Sequence, residues 1–249
     1  MKMTRIYNNW HEAIREVERD LYEMGTKVHP PTMQDKDVKD DEDYSTMELV
    51  GYDFRVTDPS RGLREAIEYV GLNPDQILKY IELEVQDRIY EPAVNPGSSY
   101  KVRPEIWEEF LHGGQFSYTY SERLWDQREA VKRELNRRLD SRQLIMSMWN
   151  PSVDPYRVGG VARIPCSMYY QLIHREGKLN MIYTMRSSDV LTHWIVDMGC
   201  AYGMLVEMCK AWNDPTQPEC NTTFEPGYVH VFHGSLHAYK KDMDKRGIF

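Results

Sequence analysis

Apolar residues in the first part of the chain recur first at helical and then at strand spacing. Trp10, Ile14, Val17 and Leu21 stand four, three and four apart, which places them on one face of an opening helix that ends near Gly25. Positions 47–56 alternate as a half-buried strand does. Positions 74–85 follow Asn73 with Ile77, Tyr80, Ile81 and Glu84 on neighbouring turns, a second helix. Between them, 28–44 carries two prolines and an acidic run without apolar period, so we expect a mobile surface loop at about 34–44. Positions 90–101, with two prolines and a Gly-Ser-Ser, read as an irregular connection, and Trp107, Phe110 and Leu111 as a short helix.

Leu124, Val131, Leu135 and Leu139 recur at seven, four and four, predicting a long amphipathic helix. Its other face carries Arg128, Lys132, Arg133, Arg137 and Arg138, which we expect to be solvated. Strand patterns then take over at 144–149, 167–174, 178–186 and 228–239, with a hairpin turn at 174–178. One more helix, 197–212, has Met198, Ala201, Tyr202, Leu205 and Met208 spaced for burial on most sides, where a methionine stripe is more often core than cofactor box. The expected fold class is α+β: a mixed or antiparallel sheet with flanking helices, in one domain over 1–249. There is no internal repeat.

The chain has 249 residues, 41% of them hydrophobic and 12% aromatic, enough to bury a sizeable core. Disulfide scaffolds and disordered tails are thereby excluded. With 39 acidic against 31 basic side chains and a net charge of -8, general binding to nucleic-acid backbone is disfavoured. No apolar run approaches the roughly 20 residues of a membrane span, and 1–9 lacks the apolar core of a signal peptide, so a cytoplasmic location is expected. Cys166, Cys200, Cys209 and Cys220 show no Cys-x-x-Cys pairing and are expected to be reduced; the sequon at Asn221 carries no weight in such a chain.

Several chemistries lack their residues. There is no glycine-rich dinucleotide or nucleotide loop and no Gly-x-Ser-x-Gly elbow. The acidic run places Asp40 and Thr46 where a calcium loop needs Gly and Glu. His233 and His237 on one strand are about 13 Å apart, too far to share a metal, so no metal site is expected.

What remains is a set of short motifs: Asp140-Ser141-Arg142-Gln143, Trp149-Asn150-Pro151, Arg163-Ile164-Pro165-Cys166-Ser167, Arg186-Ser187-Ser188-Asp189-Val190 and Gly234-Ser235-Leu236-His237-Ala238-Tyr239. Each alone is weak, and a lone Pro-Cys reads as a buried structural cysteine. In this order and at this spacing, from about 70 to 240, they resemble the thymidylate synthase family. Within it, the Gly-Ser-Leu-His-x-Tyr segment and Glu82-Leu83-Glu84 are most similar to the phage deoxycytidylate hydroxymethylases. Eight residues after Asp189 stands Asp197, where thymidylate synthases carry Asn and cytosine-specific members Asp. The chemistry agrees: a carboxyl accepts from the cytosine 4-amino group and shares a proton with N3, whereas an amide suits uracil. Without the other motifs, Asp197 reads as a helix N-terminal cap.

The resemblance implies a covalent mechanism on a pyrimidine nucleoside monophosphate with 5,10-methylenetetrahydrofolate as co-substrate. It makes Cys166 the nucleophile, Glu82 the catalytic glutamate and Tyr120 the holder of its water network. Arg186 and Arg142 bind phosphate and lower the thiol pKa, with Ser187 adding a hydroxyl. His237 and Tyr239 bind the sugar, Asp189 receives the pterin with Trp107 and Trp149 on the folate's side, and Gln171 and Asn150 line the nucleotide pocket. Arg142 lies in a segment that crosses between subunits in relatives, which implies a homodimer through the sheet with shared active sites. Gln143 replaces one family arginine, Ser167 the histidine after the nucleophile, and 191–194 the Gly-Leu-Pro-Phe loop; the N-terminal phosphate loop is missing, with Lys27 nearest its place. The expected product is 5-hydroxymethyl-dCMP. Alternatives are 5-methylation of dCMP, the same chemistry on dUMP or CMP, or, from another class, an inactive nucleotide-binding relative.

Overall fold

In the computed structural model, residues 4–33, 36–158, 163–213 and 223–247 are described; Cys220, Asn221, Thr222, Ile248 and Phe249 lie outside this set. Strand β1 (Arg5–Tyr7) leads to helix α1 (Trp10–Met24), then to the short strands β2 (Thr26–Val28), β3 (Thr32–Met33) and β4 (Lys36–Asp37) and the long β5 (Thr46–Val56). Three helices follow, α2 (Leu63–Tyr69), α3 (Pro74–Ile89) and α4 (Pro104–Trp107), and then the long α5 (Tyr120–Arg137). The remainder is β6 (Ile145–Ser147), β7 (Ser167–Arg175), β8 (Lys178–Asp189), α6 (Trp194–Trp212), β9 (Glu225–Tyr239) and α7 (Lys240–Lys245).

Seven strands form the main sheet in the order β1-β5-β9-β8-β7-β6, with β2 also on β5. The β1/β5 and β8/β9 pairs are parallel and the others antiparallel, so the sheet is mixed, as the α+β reading anticipates. The β7–β8 hairpin turns through Glu176 and Gly177, both at positive φ, as a tight connection requires.

Helices cover one sheet face. Helix α1 buries the stripe Trp10, Ile14, Val17 and Leu21, each of the aliphatic side chains contributing roughly 1.5–3 kcal/mol of burial. Trp194, at the start of α6, stacks among Trp10, Phe54 and His233 in the core, its Nε1 donating to His233 Nε2 at 3.2 Å. Helices α3 and α6 approach closely because Gly199 and Gly203 face Ile81 and Val85: a Cβ on Gly199 would lie 2.4 Å from Ile81 Cδ1. This contact sets the residues of α3 beside those at the start of α6.

Three expectations are corrected. Helix α5 ends at Arg137, and Leu139 lies beyond it, exposed. Arg128 and Lys132 are buried, not solvated: α5 packs on α3, Arg128 stacks 4.2 Å over the Trp125 ring, and its Nη1 donates to the Arg88 carbonyl. The segment around the acidic run is partly ordered, with β3 and β4 paired, Val38 buried as an apolar anchor, and Lys36 bridged to Glu109. Among the described residues no helix is long and apolar enough to cross a membrane.

Candidate active site

Cys166 precedes β7, where the chain leaves the Ile164-Pro165 stretch to join the sheet. Arg186 on β8 fixes that stretch: its Nε donates to the Pro165 carbonyl at 2.8 Å and its Nη2 lies 3.7 Å from the Cys166 Sγ. The two strands come close enough here that a Cβ on Gly234 of β9 would meet the Arg186 carbonyl at 2.7 Å, so the glycine is required. In the same register Ser187 pairs with Ser235 and Asp189 with His237, which sets these four side by side on neighbouring parallel strands. His237 and Tyr239 rings stand 5.2 Å apart.

Behind the thiol, the Ser167 amide donates to the Tyr120 hydroxyl at 3.3 Å, and the Ser167 hydroxyl bonds the Tyr183 hydroxyl. Tyr183 packs against Tyr170 at 4.6 Å, and Arg88 Nη1 donates to the Tyr170 hydroxyl. Arg88 in turn is paired with Glu84 at 2.7 Å and lies 4.8 Å over the Tyr120 ring. A continuous polar chain therefore runs from the residue after Cys166 to Glu84. Its members Tyr170, Tyr183 and Arg88 are not anticipated by the motifs; the signal for them is polar groups at core positions of otherwise apolar strands and helices.

Asp197 stands in this cluster. Its amide donates to the His193 carbonyl inside the first turn of α6, which starts at Trp194, and its side chain caps nothing, so the capping reading fails. The carboxyl is enclosed by protein yet partly reachable from the cleft. Burial, reinforced by Glu84 and opposed by Arg88 and Arg103, lifts its pKa to about 7. It is also within electrostatic reach of Cys166, Tyr120, Tyr170 and Tyr183. Asp189 is lifted to about 6, again by burial, although the Thr192 hydroxyl and the Leu191 amide stabilise its charge. Burial keeps His193 and His237 neutral, lowering each to about 4.

The remaining expected residues fall differently. Glu82 is turned to solvent, its side chain 53% exposed and paired with Lys79, whereas Glu84, two residues on and so on the buried stripe with Ile77, Tyr80 and Ile81, reaches the cluster. Arg142 is exposed, and Gln171 donates to its carbonyl at 2.9 Å on the sheet face away from the helices; neither joins Cys166 within this chain. Trp149 donates its amide to the Met168 carbonyl at the foot of β7, and Asn150 caps the following turn through the Ser152 amide. Trp107 lies against Tyr80, Phe110, Phe116 and His193. Lys27 is bound to Glu42 on the surface, away from the thiol's partners. The thiol itself differs from expectation: burial outweighs Arg186 and pushes the Cys166 pKa up. Cys200 and Cys209 are free and buried, and among the described residues no group of side chains is arranged to hold a metal.

The thymidylate synthase family model matches residues 89–247, which span every motif of this cleft except α3. The chain belongs to the thymidylate synthase family. Deoxycytidylate 5-hydroxymethyltransferase of Enterobacteria phage T6 is 25% identical over 219 residues, covering 84% of this chain and 82% of the relative. The enzyme of that name from phage T4 is 24% identical over 217 residues, with the same coverage. Among solved structures, thermostable thymidylate synthase A from Bacillus subtilis superposes with a TM-score of 0.65 at 15% identity, over 96% of this chain and 83% of its own, a likeness of fold. As a thymidylate synthase family member the chain is a transferase.

Proposed function

We propose that the protein hydroxymethylates C5 of dCMP, using 5,10-methylenetetrahydrofolate as co-substrate and water as the final nucleophile. Cys166 Sγ adds to C6 of the ring, and the electron pair moves to C5, which attacks the methylene carbon carried by the folate. The C5 proton leaves, tetrahydrofolate departs, water adds to the exocyclic methylene, and elimination of Cys166 restores the ring. Because the free thiol is raised by burial, the proton on Sγ has to leave as the ring binds; Arg186, beside the sulfur, stabilises the thiolate. Glu84, held by Arg88, takes the place that the motif comparison gave to Glu82 and exchanges protons with the ring through water, while Arg88 and the tyrosines behind it hold the carboxylate and Tyr120 in position.

The observation that carries the choice of base is the Asp197 carboxyl, lifted to about 7 beside Cys166. Near neutrality it exists in both forms, so it accepts from a cytosine 4-amino group and shares a proton with N3, which makes C6 a better electrophile. Ser187 and His237, neighbours on the paired strands β8 and β9, with Tyr239 beside His237, are assigned to phosphate and sugar, and Asp189 with Trp107, which lies against His193, to the folate. Tyr239 and Asp189 also lie near each other, as the proton affinity of Tyr239 reflects.

A homodimer completes the reading. The sheet face opposite the helices exposes Ile6, Ile145 and Phe232 from three strands, and Arg142 and Gln171 lie on that side. In a dimer built on this face, Arg142 reaches the other subunit's phosphate.

The test is mass spectrometry after incubation with the folate and, separately, dCMP, dUMP and CMP. A gain of CH2O on dCMP alone supports the proposal. A gain of CH2 replaces hydroxymethylation by methylation, product on dUMP or CMP overturns the base assignment, and no product with intact nucleotide binding returns the inactive relative.

A further inference from the structure

The stretch leading into the nucleophile carries a charge that this chemistry leaves unused. Arg163 lies between four aromatic rings, its Cζ 5.0 Å from the centroid of Trp107, 4.9 Å from Phe110, 5.2 Å from Tyr118 and 5.8 Å from Phe116. Distances under about 6 Å give each ring face an attraction for the cation. The rings thus do what a carboxylate does elsewhere in this protein: they hold the guanidinium in one place and one plane. They do so without supplying an acceptor. Among the described residues none of the Arg163 N–H groups is hydrogen-bonded or ion-paired, and the residue is half-buried with none of its nitrogens sealed in the protein, so these donors stay open to a ligand.

Its neighbours behave differently. Arg186 commits Nε to the Pro165 carbonyl and Nη2 to the Ile164 carbonyl and the thiol; Arg88 is held by Glu84, and Arg123 by Asp154 through two bonds of 2.9 Å. Arg163 alone of these four keeps its whole fork of donors unanswered. Its charge is nonetheless felt across the cleft, by Cys166, Tyr118 and His193, which places it between the thiol and the aromatic wall. An oriented, uncompensated guanidinium within electrostatic reach of the thiol is suited to a planar or tetrahedral oxyanion, which it grips by two parallel bonds.

We propose that Arg163 is an anion-recognition residue of the cleft, receiving an anionic oxygen group of a bound ligand: the 5′-phosphate of the nucleotide or a carboxylate of the folate's glutamate. The identity of the ligand rests on the proposed function; the anion receptor itself does not. It answers two departures from the family pattern: Gln143 stands in place of an arginine, and Lys27, nearest the place of the missing phosphate loop, is bound to Glu42.

Calorimetric binding to wild type and Arg163→Gln decides it, with three probes: inorganic phosphate, dCMP against 2′-deoxycytidine, and tetrahydrofolate against tetrahydropteroate, which lacks the glutamate. Loss of a charged bidentate contact weakens binding by about 10- to 100-fold. The expected result is that loss for the anionic member of one pair only, its counterpart being unchanged; the affected pair names the source. Equal losses within each pair, or changes below about twofold throughout, overturn the proposal, since a merely packed arginine does the former and a bystander the latter. If wild type binds inorganic phosphate and the variant does not, while neither dCMP nor tetrahydrofolate binds wild type, the receptor stands and the proposed function falls. If wild type binds none of the anions, the receptor falls. Should Arg163→Gln fail to fold, Arg163→Lys serves: it keeps the charge, loses the stacked fork, and is expected to lose about tenfold on the anionic member alone.

Discussion

Arg88 holds Glu84 through two hydrogen bonds to a single carboxylate oxygen, from Nε at 2.9 Å and from Nη2 at 2.7 Å, one turn apart on α3. Arg88 is nearly fully buried and also reaches Tyr170 and the Tyr120 ring, so the pair is anchored in the polar chain behind Cys166. Glu84 keeps its second oxygen for the Ser99 hydroxyl and the cleft. If Glu84 handles protons in turnover, Glu84→Gln lowers kcat by about 10²- to 10⁴-fold while dCMP affinity changes by only a few-fold. Glu82→Gln, on the solvent side with Lys79, is expected to remain within about twofold of wild type. Steady-state kinetics on the two variants separates the positions, and a large effect at Glu82 refutes the assignment to Glu84.

The thiol gives a second expectation. Burial raises the Cys166 pKa, and the positive charge of Arg186 beside the sulfur opposes it most strongly. Replacing Arg186 by Gln therefore raises the pKa further and leaves less thiolate at a given pH. Iodoacetamide labelling at pH 8, read by peptide mass spectrometry, is expected to slow by about tenfold at Cys166. Cys200 and Cys209, buried and with pKa values pushed up by the same cause, serve as unreactive internal references. Faster labelling in the variant contradicts the stabilising role of Arg186.

How much of this was legible in the sequence depends on where each residue gets its constraint. The stripe of α1, the alternation of β5 and β9, and the apolar period of α6 are set by burial of one face, and the structure places these elements where the pattern does. β1 and α2 are three and seven residues long, too short to carry a period, and they owe their form to the pairing with β5 and to the packing of Ala66 and Ile67. Arg128 and Lys132 look like a solvated face because local spacing does not reveal that α3 lies beside them. In the candidate site, the pairing of Cys166 with Arg186 is legible because both sit in contiguous motifs. The motif points to Glu82, although the helical stripe Ile77, Tyr80, Ile81 contains Glu84. The Tyr170–Tyr183 contact joins two strands and leaves no mark in either.

If Asp197 reads the base, it couples base choice to stability. Its carboxyl has a folded-state pKa of about 7, raised by burial from an ordinary value of 3.8, so the folded protein holds a proton there that the unfolded chain releases. A raised pKa contributes stability that is full below about pH 4 and is lost as pH rises through 7. The interval between 3.8 and about 7 corresponds to an upper range of about 2–4 kcal/mol. Asp197→Asn does not titrate, so its stability relative to wild type is expected to improve by that amount between pH 4 and pH 8, measured by urea denaturation at both. The same variant presents a donor and an acceptor to the ring, and its preference is expected to move from dCMP toward dUMP. Unchanged preference with a changed pH profile separates a buried structural carboxyl from a reader of the base.

Arg142 tests the dimer in a way that no single-subunit property does. Within its own chain it is exposed and lies on the sheet face opposite the helices, where Gln171 holds its carbonyl, while Cys166 lies in the cleft with Arg186. If Arg142 serves the other subunit's phosphate, each active site draws Cys166 from one chain and Arg142 from its partner. Cys166→Ala and Arg142→Ala homodimers are then both impaired, the first abolished and the second reduced mainly through KM for the nucleotide. Unfolding and refolding them together yields heterodimers in which one site carries both substitutions and the other neither. With random assortment about half the dimers are mixed and each has one intact site, so the mixture is expected to recover roughly a quarter of wild-type activity. Recovery shows that the site is shared. If the mixture does no better than the sum of its parts, while sedimentation confirms that mixed dimers formed, Arg142 acts within its own chain or not at all, and the phosphate clamp has to be sought among the residues beside Cys166.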